Sequence, residues 1–449
     1  MTDSAPNTPD DGSSSAASGP KWASQLPPTL RLTVDPYFGP FFAGKFVSNV
    51  GIWIHHLAAA VVVFQLTGSA AWVGAIGVGQ FLPQVLIAPW SGARADRSDR
   101  RLQLLAGRIV GGTGSASLVL LPFWMSFGDR VAAVAVVAGS AILGVGFALG
   151  GPALHALVPQ LVRPPDLAAA ITLNTLPITI SRALGPAFGA LIVASLGPEV
   201  AFMVAASGNY VFALALLRTR ARPDATVVDK APPSGQPIRD GLRHIRSQPA
   251  LRSLLFAVAI IGFATEPVVT LSPSLAARLG GEAELVGALV SAFGIGAGLG
   301  LVAAGMLRRR IGIARTGPLG ILLLAVGYMS AGQAGTALMA VLALGIAGSG
   351  MSIGLTSLTT RLQQIVTESY RGRIMAAWSI AFLGTRPLSA SSVGLLADFA
   401  GVTTAFLLVG TLCFLGAGWV LRAVRHATPV DGTTTDTTDS MLAGDDRED

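Results

Sequence analysis

Residues 92–101 read Gly-Ala-Arg-Ala-Asp-Arg-Ser-Asp-Arg-Arg and lie between two long apolar runs, 70–90 and 102–127. Four arginines and two aspartates in ten residues cannot sit in hydrocarbon, where one such side chain costs about 2.5–3.5 kcal/mol on insertion scales. The stretch is therefore expected to be a tight turn in water. At 1.5 Å per residue, each flank is long enough to cross an apolar layer of ~30 Å. An ionic hairpin joining two membrane-spanning helices follows.

The remainder of the chain extends that reading. Of 449 residues, 51% are apolar and 12% charged, against about 25% charged in an ordinary soluble domain. The 54 glycines suit helices that bring their backbones together in lipid. Apolar segments of spanning length fall near 37–64, 70–91, 102–127, 131–157, 167–196 and 199–217, and again near 253–277, 284–306, 316–334, 336–360, 373–397 and 402–423. The expected fold is an all-α membrane protein with twelve transmembrane helices in two six-helix pseudo-symmetric bundles. The first bundle is placed at 35–218 and the second at 253–424, with a Pro- and Arg-rich cytoplasmic linker at 219–252 between them. The Ser/Ala/Pro/Asp-rich 1–34 and Thr/Asp-rich 425–449 read as disordered tails, the former lacking the apolar core of a signal peptide.

Charge placement orients the chain, because the cytoplasmic side retains Lys and Arg. With both termini inside, twenty basic residues fall in inward loops and only Arg130 and Arg278 in outward ones. The net charge of +7 thus reflects topology, and no nucleic-acid partner is expected. The expected surroundings are a lipid bilayer, with a small-molecule substrate and function as a monomer. The single cysteine, Cys413, excludes a disulfide within the chain or a thiolate metal site.

The halves echo one another: Val73-Gly74-Ala75 recurs as Val286-Gly287-Ala288, and the same offset carries Gly92 onto Gly305 and Arg97 onto Arg310. Parallel six-helix repeats would do this. Asp96 maps onto Arg309, so the second hairpin lacks the acid.

The hairpin resembles the Gly-x-x-x-Asp-Arg-x-x-Arg-Arg signature of the major facilitator superfamily, with Gly92, Asp96, Arg97, Arg100 and Arg101 on its positions. Arg94 and Asp99 stand where that signature has leucine and glycine. The segments Gln65-Leu66-Thr67-Gly68-Ser69, Leu157-Val158-Pro159 and Arg371-Gly372-Arg373 are similar to the branch of enterobactin-exporter-like proteins and transmembrane secretion effectors. The resemblance implies a bacterial inner-membrane exporter of small molecules such as drugs or siderophores, working by alternating access. It would be driven by an ion gradient, with protons as the expected ion and no other cofactor. It also implies a cytoplasmic gate, in which Asp96 accepts from the start of the eleventh helix near Gly372 and Arg373. A partially positive helix N-terminus suits such an acceptor. In the fifth segment, Ser181, Gly185, Pro186, Gly189 and Ala190 are similar to the antiporter motif of drug exporters, with Ser181 and Ala190 at glycine positions. The arginine such exporters carry within their fourth helix is missing here.

Ionisable groups deep in a membrane mark function by default. Glu266, followed by Pro267, is the one deep carboxylate, and Arg182 and Arg386 are the deep bases. Glu266 is a candidate proton-coupling or cation site, or one half of a permanent ion pair with either arginine. Asn174, His55 and His56 are further candidates; adjacent histidines point ~100° apart on a helix, so no metal site is expected from them. Lys45 and Arg108 are expected to snorkel to the inner face. Gly350-x-Ser352-x-Gly354 copies a hydrolase motif but falls within a spanning segment. With three lysines and no phosphate-binding loop, neither an enzyme nor a nucleotide-driven pump is expected. Gradient-driven uptake and a non-transporting scaffold or sensor are the alternatives to export.

Overall fold

The computed structural model describes residues 28–223 and 238–426, apart from the side chains of 28, 88, 89, 96, 238–242, 368, 369 and 423–426. Among these residues twelve helices are long and apolar enough to cross a membrane. The first six are α1 Gly39–Thr67, α2 Ala70–Arg97, α3 Arg100–Ser117 (continued to Leu121–Met125), α4 Asp129–Leu157, α5 Leu167–Leu196 and α6 Pro198–Arg218. The seventh is broken into α7a Pro249–Phe263 and α7b Pro267–Arg278, followed by α8 Ala283–Ile311, α9 Ile313–Gly332 and α10 Ala337–Ile365. The eleventh is broken as well, into α11a Glu368–Leu383 and α11b Thr385–Ala400, before α12 Val402–His426. The hydrolase-like Gly350-x-Ser352-x-Gly354 lies within the unbroken α10, away from any strand-to-helix turn.

The hairpin is more helical than a turn in water requires. Helix α2 continues through Arg94 and Arg97, and only Ser98 and Asp99 make the bend. Asp99 caps α3, its Oδ1 accepting from Arg101 N at 2.8 Å and Leu102 N at 3.3 Å. The arginines of α2 sit in its last turn, where exposed carbonyls favour cations. The expected tail also ends earlier than residue 34. Pro28–Arg31 and Leu32–Val34 are helical, and Leu32 is buried in one cluster with Phe38 and Phe41. Within the linker, Ile238–Ser247 forms a helix whose His244 stacks on Tyr370 of α11a, ring centroids 4.1 Å apart. Most of the two tails, 1–27 and 427–449, and residues 224–237 lie outside the described residues.

Small residues set how the helices meet. A Cβ placed on Gly107 of α3 would lie 2.6 Å from the carbonyl oxygen of Gly146 in α4, and one on Gly320 of α9 would lie 2.2 Å from Gly354 N in α10. Such pairs make each bundle. Across the bundle boundary, the repeated tripeptides are points of close approach. A Cβ on Gly74 of α2 would sit 2.1 Å from Ala390 O of α11b, and one on Gly287 of α8 would sit 2.3 Å from Ala190 Cβ of α5. Both crossings lie at the end of the molecule away from the hairpin. At the hairpin end, Gly92, its counterpart Gly305, and Gly372 have nothing within 4 Å of a Cβ position. The bundles are therefore packed together at the far end and apart at the hairpin end.

Pro267 brings no N–H to α7, and the regular helix is interrupted between Phe263 and Pro267, with Ala264 at ψ 0°. In a membrane the freed groups must find partners inside the protein. Thr265 Oγ1 donates back to Ile261 O at 2.8 Å, and the hydroxyl of the fully buried Tyr328 in α9 donates to Ala264 O. Tyr328→Phe is expected to orphan that carbonyl and lower unfolding stability by about 1–3 kcal/mol. Denaturation of the purified protein in detergent would read this, and an unchanged midpoint would contradict it.

Candidate functional site

The break in α7 delivers Glu266 to a narrow cavity between the bundles, of about 30 Å³. Arg386, from the first turn of α11b, meets it. Its Nε donates to Glu266 Oε1 at 2.5 Å, and its Nη2 reaches the same oxygen. Side-chain exposure is 5% for Glu266 and 15% for Arg386, so the pair is largely removed from water. Phe81 of α2 covers the guanidinium, 3.8 Å from ring centroid to Cζ. An acid and a base from one bundle are thus sealed by an aromatic ring from the other.

The opposite wall is different in charge. Arg182 of α5 lies over Trp53 of α1, 5.5 Å from the ring centroid, and its Nη1 reaches Met351 S at 3.9 Å. Its buried Nε has no hydrogen-bond partner, and among the described residues no carboxylate lies within ion-pair distance of it. Glu266 is the one acid lining the cavity, against Arg182 and Arg386. The cavity therefore carries one formal positive charge in excess when Glu266 is ionised and its neighbouring histidine neutral.

That histidine is His56, whose Nε2 bonds the side-chain amide of Gln80 and whose ring meets Trp53 edge-on. The structure separates the two histidines as helical geometry requires. His55 turns into the first bundle, with Ser115 Oγ and Ser140 Oγ each 3.0 Å from one of its ring nitrogens. It does not line the cavity, and its polar needs are met by packing partners. Asn174 is likewise drawn elsewhere: its Oδ1 and carbonyl oxygen accept from Lys45 Nζ at 2.5 and 2.6 Å. Lys45 and Arg108 do not snorkel. Both are buried, at 1% and 5% exposure, and Arg108 donates to Ser48 Oγ and packs against the rings of Phe147 and Phe212.

Ser181, Gly185, Pro186, Gly189 and Ala190 are all buried and serve two neighbours. Gly185 and Gly189 face α1 at Trp53 and Ile54, whereas the Pro186 carbonyl and Ala190 face Gly287 of α8. At the hairpin, Arg100 Nη1 donates to Ala156 O at 3.2 Å and Arg101 Nη2 to Leu217 O at 2.6 Å, both within the first bundle. Arg373 lies over Tyr370 on its own helix. The Asp96 carboxylate falls outside the described residues. Trp53, Gln80, Phe81, Thr265 and Thr270 also line the cavity and were not singled out from the sequence. Gln80, an amide in the middle of an apolar run, was the readable signal; the others look like ordinary helix residues.

Residues 31–441 match the protein family described as transmembrane secretion effector. The chain belongs to that family. It is a branch of the major facilitator superfamily, and the twelve-helix fold is the superfamily's. Among curated relatives, the enterobactin exporter EntS of Escherichia coli K12 is 25% identical over 426 residues, covering 90% of this chain and 97% of EntS. An uncharacterised MFS-type transporter of Bacillus subtilis, YfiS, is 25% identical over 403 residues, covering 83% and 89%. A bacterial homologue of the iron transporter ferroportin shares the fold in two solved states. Its inward-facing state gives a TM-score of 0.69 at 14% identity, covering 85% of this chain and 98% of that one. Its outward-facing state gives 0.57 at 16% identity, covering 89% and 99%. The chain is a multi-pass membrane transporter.

Removing one member of a buried ion pair leaves an uncompensated charge and costs about 3–5 kcal/mol. Glu266→Ala is therefore expected to destabilise the protein more than Glu266→Ala/Arg386→Ala does. A double-mutant cycle of unfolding free energies checks this, and purely additive effects would show that the pair is not coupled.

Proposed function

We propose that this transporter exports a small amphipathic molecule across the bacterial inner membrane by alternating access, with protons moving the opposite way. The carrying observation is the cavity, where one acid–base pair, Glu266 with Arg386, and one arginine with no carboxylate at ion-pair distance, Arg182, face an aromatic wall. With both termini in the cytoplasm, as the loop arginines favour, the splayed hairpin end opens inward and this is the inward-facing state. The better fit to the inward-facing ferroportin homologue supports that assignment.

The chemistry runs from there. A Glu266 that has released its proton inward is held by Arg386, and the cavity is ready for a substrate from the cytoplasm. A polar or anionic group is attracted to Arg182, and the ring faces of Trp53 and Phe81 take up a flat apolar body. Reopening outward, with a proton returned to Glu266, neutralises the acid and loosens its hold on Arg386. Enterobactin, the cargo named for EntS, is one molecule of suitable character. The cytoplasmic gate formed by Asp96, Arg97, Arg100 and Arg101 with the start of α11a closes the inner mouth in the other half of the cycle.

Proteoliposomes with an imposed pH gradient test this. Substrate-dependent proton release identifies antiport, and Glu266→Gln is expected to lower the gradient-driven component roughly tenfold or more while leaving downhill exchange. Co-directional movement would replace export with uptake, and no flux across a broad compound panel would favour a scaffold. Full activity of Glu266→Gln with unchanged pH dependence would remove Glu266 from coupling.

A further inference from the structure

The far end is shut by more than close packing. Asp398, in the last turn of α11b, reaches across the bundle boundary to the first turn of α2. Its Oδ1 accepts from Ala70 N at 2.7 Å, and its Oδ2 accepts from Ala71 N at 3.2 Å and from Ser69 Oγ at 2.5 Å. Ser69 is the N-cap of α2, its Oγ accepting from Trp72 N at 3.3 Å. The hydroxyl that caps α2 thus gives its single hydrogen to a carboxylate of the other bundle.

Helix α2 has no acid of its own in its first turn. The first N–H groups of any helix lack intrahelical partners, and its positive end favours an anion. Here one bundle supplies both to the other. The approach is made possible one turn earlier, where a Cβ on Gly394 would lie 2.6 Å from Ala70 O. Opening the far end must separate α2 from α11b, and it then exposes Ala70 and Ala71 N–H while detaching the Ser69 hydroxyl.

We propose that Asp398 is a gating residue, an outer latch that sets the balance between the two states of the transporter by capping a helix of the opposite bundle. The inference uses the alternating access of the reading above but is independent of substrate, direction and coupling ion. It would stand if Glu266 proved not to couple to protons.

The test uses the full chain in lipid nanodiscs, with the buried Cys413 replaced by alanine and spin-label pairs read by pulsed electron resonance. Labels at Arg130→Cys in the first turn of α4 and Glu282→Cys at the N-cap of α8, both exposed at the far end, report the far-end gap. Labels at Ser98→Cys and Gln364→Cys, exposed at the hairpin end, report the other gap. Asp398→Asn keeps the shape but removes the charge. It is expected to raise the far-end-open population roughly five- to tenfold, with a matching rise in the closed hairpin-end distance. Ser69→Ala, which keeps the carboxylate, should shift both distances in the same direction by less, and it serves if Asp398→Asn does not fold. Unchanged distributions in both variants would overturn the latch. So would a far-end gap that widens with no change at the hairpin end, since that is local loosening and not gating.

Discussion

Breaking a helix inside a membrane exposes backbone groups that hydrocarbon cannot satisfy, and this chain breaks α7 at its middle. Pro267 enforces the interruption, and the structure answers it with Tyr328 on one side and Thr265 on the other. The gain is position. A carboxylate on a continuous helix would have to point sideways into its neighbours, whereas Glu266 stands at the start of α7b and meets Arg386 at the matching break in α11. Irregular backbone at membrane depth is tolerated where it is buried in protein or lines a cavity, and here it does both.

The same economy governs the contact between bundles. Val73-Gly74-Ala75 and Val286-Gly287-Ala288 look like chance recurrences in a glycine-rich chain until the crossings are seen. Each glycine is the point where a helix of one bundle lies against a backbone of the other. The glycines Gly92 and Gly305, related by the same offset, have open space instead. Sequence symmetry is thus expressed at both ends, packed in one and splayed in the other. In the alternating access proposed above, each end would take its turn at close approach, and a glycine at both would admit it.

Much of this was legible in advance because lipid imposes hard rules. Span lengths, the ionic hairpin and the rarity of deep charge fixed the twelve helices, and Glu266, Arg182 and Arg386 emerged as a group because nothing else ionisable lay so deep in the second bundle and α5. What the sequence withheld was direction. His55 and His56 are neighbours in the chain, and only the rotation of α1 shows that one is bound by serines and the other faces the cavity. Lys45 and Arg108 look able to reach water, yet Asn174, Ser48 and two phenylalanine rings hold them inside. Asp398 is inconspicuous for a related reason: an acid near a helix end reads as solvated, and its partner lies 328 positions away in the chain.

One modest ion pair bears on how the molecule is assembled. Asp35 precedes α1 and Arg222 follows α6, and their side chains meet at 2.9 Å, while Arg222 N donates to Gln160 O at 2.9 Å. The first bundle is thereby stapled where the chain enters its first helix and leaves its sixth. A bundle closed on itself in this way makes the protein a candidate for reconstitution from two separately synthesised fragments that find each other in the bilayer.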